Sequence, residues 1–435
     1  MQKKIEGFSK LTKAEKVDWI TKNNFANPEA AKQLLSAYWN TDQAIQQRHD
    51  EFIENTLTNF YMPFGVAPNF IINGKNYTLP MVIEESSVVA AASNAAKFWG
   101  ERGGFNTKII NTQKVGQIHF FYSGNKIDLE QFFIENKPQW LLDVKEITSK
   151  MEARGGGILS FDLIDKTYQL AHYYQFHFTF KTADAMGANF INSCLELISK
   201  SVEASAAQNP AIEEAGGLEI VMCILSNYVP NCLVRAYVSC PVNALGYQDQ
   251  MSPEDFARKM IQAVAIAKNE PYRAVTHNKG IMNGVDAIVL ATGNDFRAVE
   301  AGVHAYAAKS GQYSSLSDAY IHDGIFQMEL TLPIAVGTVG GLTRLHPLVG
   351  WSLELLGNPN AEELMEITAV AGLAQNFAAL RSLVTSGIQK GHMKMHLLNI
   401  LNQLEATEIQ KEAAIHYFKT HTVSVKEVSA FLKKN

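Results

Sequence analysis

Five short islands of polar residues, set in apolar or glycine-rich sequence, carry side chains able to do chemistry. The first is Glu84-Glu85-Ser86-Ser87, directly before the apolar run Val88-Val89-Ala90-Ala91-Ala92. Acids there suit a helix N-terminus as caps. A partly desolvated carboxyl at the same place has a raised pKa and can work as a general acid. The second island, Asp184-Ala185-Met186-Gly187-Ala188-Asn189, lies between a strand-like run and a long helical one. Its glycine allows close backbone approach, and free N–H groups at a helix start can meet a phosphate. It reads equally as a plain helix start, and it is not the G-x-G-x-x-G fingerprint of a Rossmann fold.

The third island is Thr276-His277-Asn278-Lys279-Gly280-Ile281-Met282-Asn283-Gly284, with Thr292-Gly293-Asn294-Asp295 downstream. Lys279, flanked by Asn and Gly in apolar surroundings, is unlike a solvated helix-face lysine. Kept charged by a nearby carboxylate, it suits an oxyanion; the other reading is a structural ion pair. Gly337-Thr338-Val339-Gly340-Gly341 is a turn or a ligand-facing loop. In Gly391-His392-Met393-Lys394-Met395-His396 the two histidines stand four apart on a helical pattern, but no spacing supplies a third metal ligand. A single functional His392 is the expectation, and no metal site.

These islands need a large scaffold to bring them together. The chain has 435 residues, 47% hydrophobic and 19% charged, which fits a globular protein of two or three domains and excludes a disordered one. The 38 Lys plus Arg against 43 Asp plus Glu are scattered, which argues against nucleic-acid binding. Cys194, Cys223, Cys232 and Cys240 show no C-x-x-C spacing and read as reduced thiols of a reducing compartment. The opening residues are polar, without the apolar core of a secretory signal. The apolar stretch 367–384 is broken by Gln375, Asn376 and Arg381, so a buried helix is expected rather than a membrane span. A soluble cytoplasmic protein follows.

Periodicity predicts amphipathic helix over 13–57, short strands with an Asn73-Gly74 turn over 63–80, and an alanine-rich helix over 86–99. Alternation in 116–122, 157–163 and 169–180, with a hinge at Gly155-Gly156-Gly157, gives way to a helix over 185–206. This predicts a small α+β module set within a larger unit. After strands at 220–225 and 233–239, a helix at 253–269 opens helix-rich sequence to the end, the tail from Gln389 being a mobile cap.

Taken in order, the islands resemble the soluble bacterial (class II) branch of the hydroxymethylglutaryl-CoA reductase family. The match runs from about Glu54 to His396. It takes in Pro80-Met81-Val82-Ile83-Glu84-Glu85, the 184–189 motif, Leu225-Ser226-Asn227, Pro271-Tyr272-Arg273-Ala274, 277–284, 292–295 and 337–341. It closes with Leu373-Ala374-Gln375-Asn376-Phe377 and Gly387-Ile388-Gln389-Lys390-Gly391-His392-Met393. The resemblance implies an α+β fold with a large helix-rich substrate domain (1–109 and 221–388). Inserted in it would be a small, non-Rossmann cofactor domain (110–220), followed by a C-terminal helical flap (389–435).

It also implies an NADH- or NADPH-dependent four-electron reduction of hydroxymethylglutaryl-CoA to mevalonate and CoA, by a homodimer or dimer-based oligomer. Carried over by motif, Lys279 stabilises the oxyanion and Glu85 is the general acid. Asp295 ties those two into one network, and His392 protonates the CoA thiolate. Ser87, Arg273, Asn283, Gln375 and Asn376 hold the hydroxymethylglutaryl part; Asp184, Met186, Gly187, Asn189 and Asn227 hold the dinucleotide. Where the family often has Pro this chain has Ser86, and the family's E-N-V-x-G run is Glu54-Asn55-Thr56-Leu57-Thr58. After the triple glycine the sequence reads Ile158-Leu159-Ser160-Phe161-Asp162; a serine would tolerate a 2′-phosphate and Asp162 would repel it, so both nicotinamides stay open. The alternatives are a reductase of another acyl-CoA and a non-catalytic CoA-binding protein.

Overall fold

The structure, a computed structural model, describes residues 4–248, 250–343, 345–385, 397–418, 421 and 423–434. Three short helices, α1 (Lys13–Asn24), α2 (Pro28–Ala37) and α3 (Gln43–Asp50), fill the first amphipathic stretch. Next comes a hairpin of β1 (Phe64–Ile72) and β2 (Lys75–Val82), turned at Asn73 and Gly74, both at positive φ as a type I′ turn requires. The helix α4 (Val88–Gly100) and strand β3 (Asn106–Ile109) follow.

The alternating segment then builds a sheet of its own. It comprises β4 (Lys114–Phe121), β5 (Gly157–Asp165), β6 (Tyr173–Lys181) and β7 (Glu219–Ser226), in the order β5-β6-β4-β7 and antiparallel throughout. Because side chains alternate across a strand, Ile118, Phe120, Phe161, Phe176, Phe178 and Phe180 share one face. That face packs on α5 (Lys126–Asp143), α6 (Lys145–Glu152) and α7 (Ala188–Ala206). Helices α5 and α6, between β4 and β5, were not expected from the sequence; Pro138 inside α5 interrupts the helical signature. The strand β7 carries this unit to Ser226, beyond the expected boundary at 220.

The second sheet has the order β3-β8-β10-β9, with β8 at Leu233–Pro241, β9 at Ser317–His322 and β10 at Ile325–Pro333. Within the helix-rich remainder the β9–β10 hairpin was not expected, and its Asp323-Gly324 turn, again with both φ positive, was its signal. Against this sheet lie α9 (Pro253–Asn269), α11 (Phe296–Ala307) and α13 (Ala361–Val384), while α10 (Pro271–Ala291) packs on α13 and, with α12 (Pro347–Leu355), on β2. The expected long apolar helix is α13, buried along most of its length. It crosses α10 at very short range. A Cβ on Gly284 would stand 2.2 Å from the Ala371 carbonyl oxygen, so only glycine allows the two backbones this close.

The last described residues form a separate apolar cluster of Leu397, Ile400, Leu401, Ala414, Phe418 and Val428, in keeping with a small helical unit. The architecture is α+β, with two open four-stranded antiparallel sheets and the β1–β2 hairpin among helices.

Candidate active site

Lys279, midway along α10, places Nζ 2.5 Å from Oε2 of Glu85. Pro271 at the first helical position and Glu270, accepting the Tyr272 and Arg273 N–H groups, start α10 firmly. Glu85 sits in the tight turn between β2 and α4. There Ser87 holds φ +76, a left-handed conformation that a non-glycine residue adopts only where its surroundings enforce it. Both partners keep solvent access, Lys279 at 59% and Glu85 at 38% of the side chain. An ion pair this open stabilises the fold little. Its position over a cavity is what distinguishes it.

That cavity has a volume of about 900 Å³. Besides Glu85 and Lys279 it is lined by Ser87, Arg273, Asn283, Gln375 and Asn376, so seven expected site residues share one space. Its floor is α13. Gln375 donates from Nε2 to the Val88 carbonyl at 2.6 Å. Asn376 Nδ2 lies 3.1 Å from His277 Nε2, which also meets Ser317 Oγ at 2.7 Å. His277, part of the Lys279 island, was not expected to matter. Burial, reinforced by the charge of Arg273, pushes its pKa down to about 3, leaving a neutral imidazole. Oδ1 of the buried Asn376 has no partner among the described residues. Burial also lowers the Arg273 guanidinium pKa, yet an arginine starts so high that it stays charged.

The 184–189 and 337–341 islands come together at one corner. Gly187 caps α7 at φ +100, where a Cβ would strike Thr182 at 2.4 Å, and no side chain caps the helix. The first-turn N–H groups therefore have no side-chain cap to satisfy them, beside the exposed Asn189. The Asp184 carbonyl accepts Thr338 N at 2.9 Å, and its carboxylate accepts Ala361 N at 3.0 Å. Asn294 Oδ1 accepts Gly337 N at 2.8 Å. A Cβ on Gly337 would lie 2.4 Å from Met186 N, so the loop that alone decided little is a close-packed support of this turn. Met186 and Asn227 line a gap of about 10 Å³ between the two units, with Lys114. Ser160 is tied to Thr179 at 2.9 Å, and Asp162 is exposed.

Asp295 departs from expectation. Its carboxylate caps α11 by accepting Arg297 N and Ala298 N and pairs with Arg297 Nη2 at 3.1 Å. It follows the end of α10, whose twelve residues after Lys279 rise about 18 Å. Within one chain it does not join Lys279 and Glu85. His392 lies outside the described residues.

A family model described as hydroxymethylglutaryl-coenzyme A reductase matches residues 13–397. The chain belongs to the hydroxymethylglutaryl-CoA reductase family. It is 37% identical over 407 residues to the 3-hydroxy-3-methylglutaryl-coenzyme A reductase of Archaeoglobus fulgidus, covering 94% of this chain and 88% of that one. A probable 3-hydroxy-3-methylglutaryl-coenzyme A reductase of Borreliella burgdorferi is 34% identical over 363 residues, covering 82% and 80%. Among solved structures, the Streptococcus pneumoniae 3-hydroxy-3-methylglutaryl-coenzyme A reductase superposes with a TM-score of 0.72 at 34% identity, covering 99% of both chains. A second structure, the class II enzyme of Streptococcus pneumoniae bound to NADPH in open conformations, gives 0.71 at 36% identity, covering 87% and 99%. The reductase family thus supplies the class II fold seen here.

Proposed function

We propose that this chain reduces 3-hydroxy-3-methylglutaryl-CoA to mevalonate and free CoA with two equivalents of NADH or NADPH. The observation that carries this reading is the Lys279–Glu85 pair, poised over a cavity that also holds Arg273. The nicotinamide supplies two hydrides, the first to the thioester carbon and the second to the aldehyde carbon. Each delivery leaves negative charge on the substrate oxygen, and the Lys279 ammonium stabilises it. Glu85 donates the proton that the aldehyde oxygen takes up. Arg273 grips the free carboxylate of the substrate. Ser87, Asn283, Gln375 and Asn376, which line the same cavity, orient the hydroxymethyl end. His392 protonates the departing CoA thiolate, which otherwise re-adds to the aldehyde.

The dinucleotide belongs at the α7 corner. An N-terminus with no side-chain cap, next to Asn189, fits a pyrophosphate. Asp184 serves this corner by holding the turn to α13 and the 337–341 loop. Met186 and Asn227 line the gap beneath it. In these terms 1–109 and 227–388 form the substrate unit, 110–226 (with all of β7) the cofactor unit, and 389–435 a flap closing over both.

The cofactor corner touches Asn294, beyond the far end of α10, whereas the substrate cavity surrounds Lys279. One chain therefore keeps hydride donor and acceptor apart, and we assign their meeting to a homodimer, or a dimer-based oligomer, in which Asp295 of one copy completes the Lys279–Glu85 network of the other. Exposed Leu345, Leu348 and Trp351 offer apolar surface for such a contact. The unpaired cysteines fit a cytoplasmic setting.

The test is nicotinamide absorbance with purified protein and hydroxymethylglutaryl-CoA, run in parallel with NADH and NADPH. Oxidation of two nicotinamides per CoA released is the expected result. A folded sample that oxidises neither overturns it in favour of another acyl-CoA or a binding role.

A further inference from the structure

Asp286 follows Lys279 by seven residues and Asn283 by three, which keeps it on the same face of α10 as the cation. It does not line the substrate cavity. Instead it meets Glu300 of α11, carboxyl to carboxyl, and its Oδ1 is buried with no partner among the described residues. The Glu300 carboxylate is held from the other side by His304 Nε2 at 2.6 Å, and His304 Nδ1 meets the Tyr313 hydroxyl at 2.6 Å. The other acid acting on Asp286 is Glu84, next to Glu85 in the β2–α4 turn.

Two carboxyl groups in hydrogen-bond contact need a proton between them, because two buried negative charges at that range repel strongly. We propose that Asp286 and Glu300 share one proton at neutral pH, and that this pair, limited to a single negative charge, positions the Glu84-Glu85 turn so that Glu85 stays on Lys279. The proton rests on Asp286. Burial, Glu300 and Glu84 push its pKa up, to about 8, while the His304 hydrogen bond draws Glu300 down. Losing it places a second negative charge beside Glu84, which repels the turn and draws Glu85 from its seat. Asp286 and Glu300 are positioning residues, since neither touches substrate. The inference rests on the reading of Lys279 and Glu85 as the reacting pair.

The first measurement does not depend on that reading. At pH 7 the infrared spectrum of the wild-type protein is expected to show the carbonyl stretch of a protonated carboxylic acid. The band should fade on titration through about pH 8 and be missing in Asp286→Asn; its absence from the wild type overturns the shared proton. The second measurement is the pH profile of kcat. Asp286→Asn carries a permanently uncharged amide, so its rate at pH 7 should stay within about twofold of wild type. The wild-type decline above about pH 8 should move up by at least one unit in the variant. An unchanged profile, or a folded Asp286→Asn inactive at pH 7, overturns the positioning role.

Discussion

Gln375 on α13 donates to the backbone carbonyl of Val88, 2.6 Å away at the head of α4. The bond joins the long buried helix α13 to the start of α4, next to the turn that carries Glu85 and Ser87. It makes one buried amide, proposed above as a binding group, also a clamp.

Replacing Gln375 by Leu removes a buried hydrogen bond to a carbonyl that keeps only its helical partner. Such a bond is worth about 0.5–1.5 kcal/mol, so calorimetry should show a fall in Tm. Because the clamp also sets the cavity wall, KM for hydroxymethylglutaryl-CoA should rise more than kcat falls. A variant with unchanged Tm and KM would show that the bond does neither job.

Lys279→Ala and Asp295→Ala should each lose about 10²–10³ in kcat, the usual loss when a stabilising group leaves a developing charge. Mixed after co-refolding, the two inactive chains should recover about a quarter of wild-type activity. Half of the dimers would then be mixed, each with one complete site of two. No recovery would mean that both residues serve the same chain.

His277 gives the fold an acid limit. Its pKa is near 3 in the folded protein, against an ordinary 6.5 once unfolded, so below pH 6.5 the unfolded chain takes up a proton that the native one refuses. The stability contributed by the neutral imidazole is therefore present above pH 6.5 and lost as pH falls toward 3, at up to about 1.4 kcal/mol per unit. Urea titrations from pH 7 to 4 should show this slope, and His277→Gln should flatten it.

The α10–α13 crossing is testable with two glycines on one helix. Gly284→Ala drives a methyl to 2.2 Å from the Ala371 oxygen and should cost about 1–3 kcal/mol as the helices part. Gly280→Ala meets nothing within 4 Å and should be neutral or stabilising by up to about 1 kcal/mol. Equal effects in denaturant titrations would contradict the close crossing.

The islands were legible because charged and amide groups in apolar sequence are costly unless they do something. Gln375 and Asn376 stood out inside the run that became α13 for that reason, and Lys279 inside α10 likewise. What the sequence could not show was who meets whom. Asp295 looks like a partner for Lys279 by motif, yet the straight rise of α10 takes it about 18 Å away. The 337–341 loop looked idle until its contacts with Asp184, Met186 and Asn294 were visible. His277 and Asp286 had no local signature, since their altered acidity comes from neighbours distant in the chain. The β9–β10 hairpin did have one, the Asp323-Gly324 turn, overlooked among helical patterns.

Gln375 and Asn376, proposed above to orient the hydroxymethyl end of the substrate, stand on α13, in the part of the chain the fold can least spare. Ser160 and Asp162, the residues that bear on a 2′-phosphate, stand on the face of β5 turned away from Phe161 and the core, with room to vary. Evolution can therefore exchange one nicotinamide for the other by surface substitutions. A change of acyl substrate would have to begin by rebuilding the core.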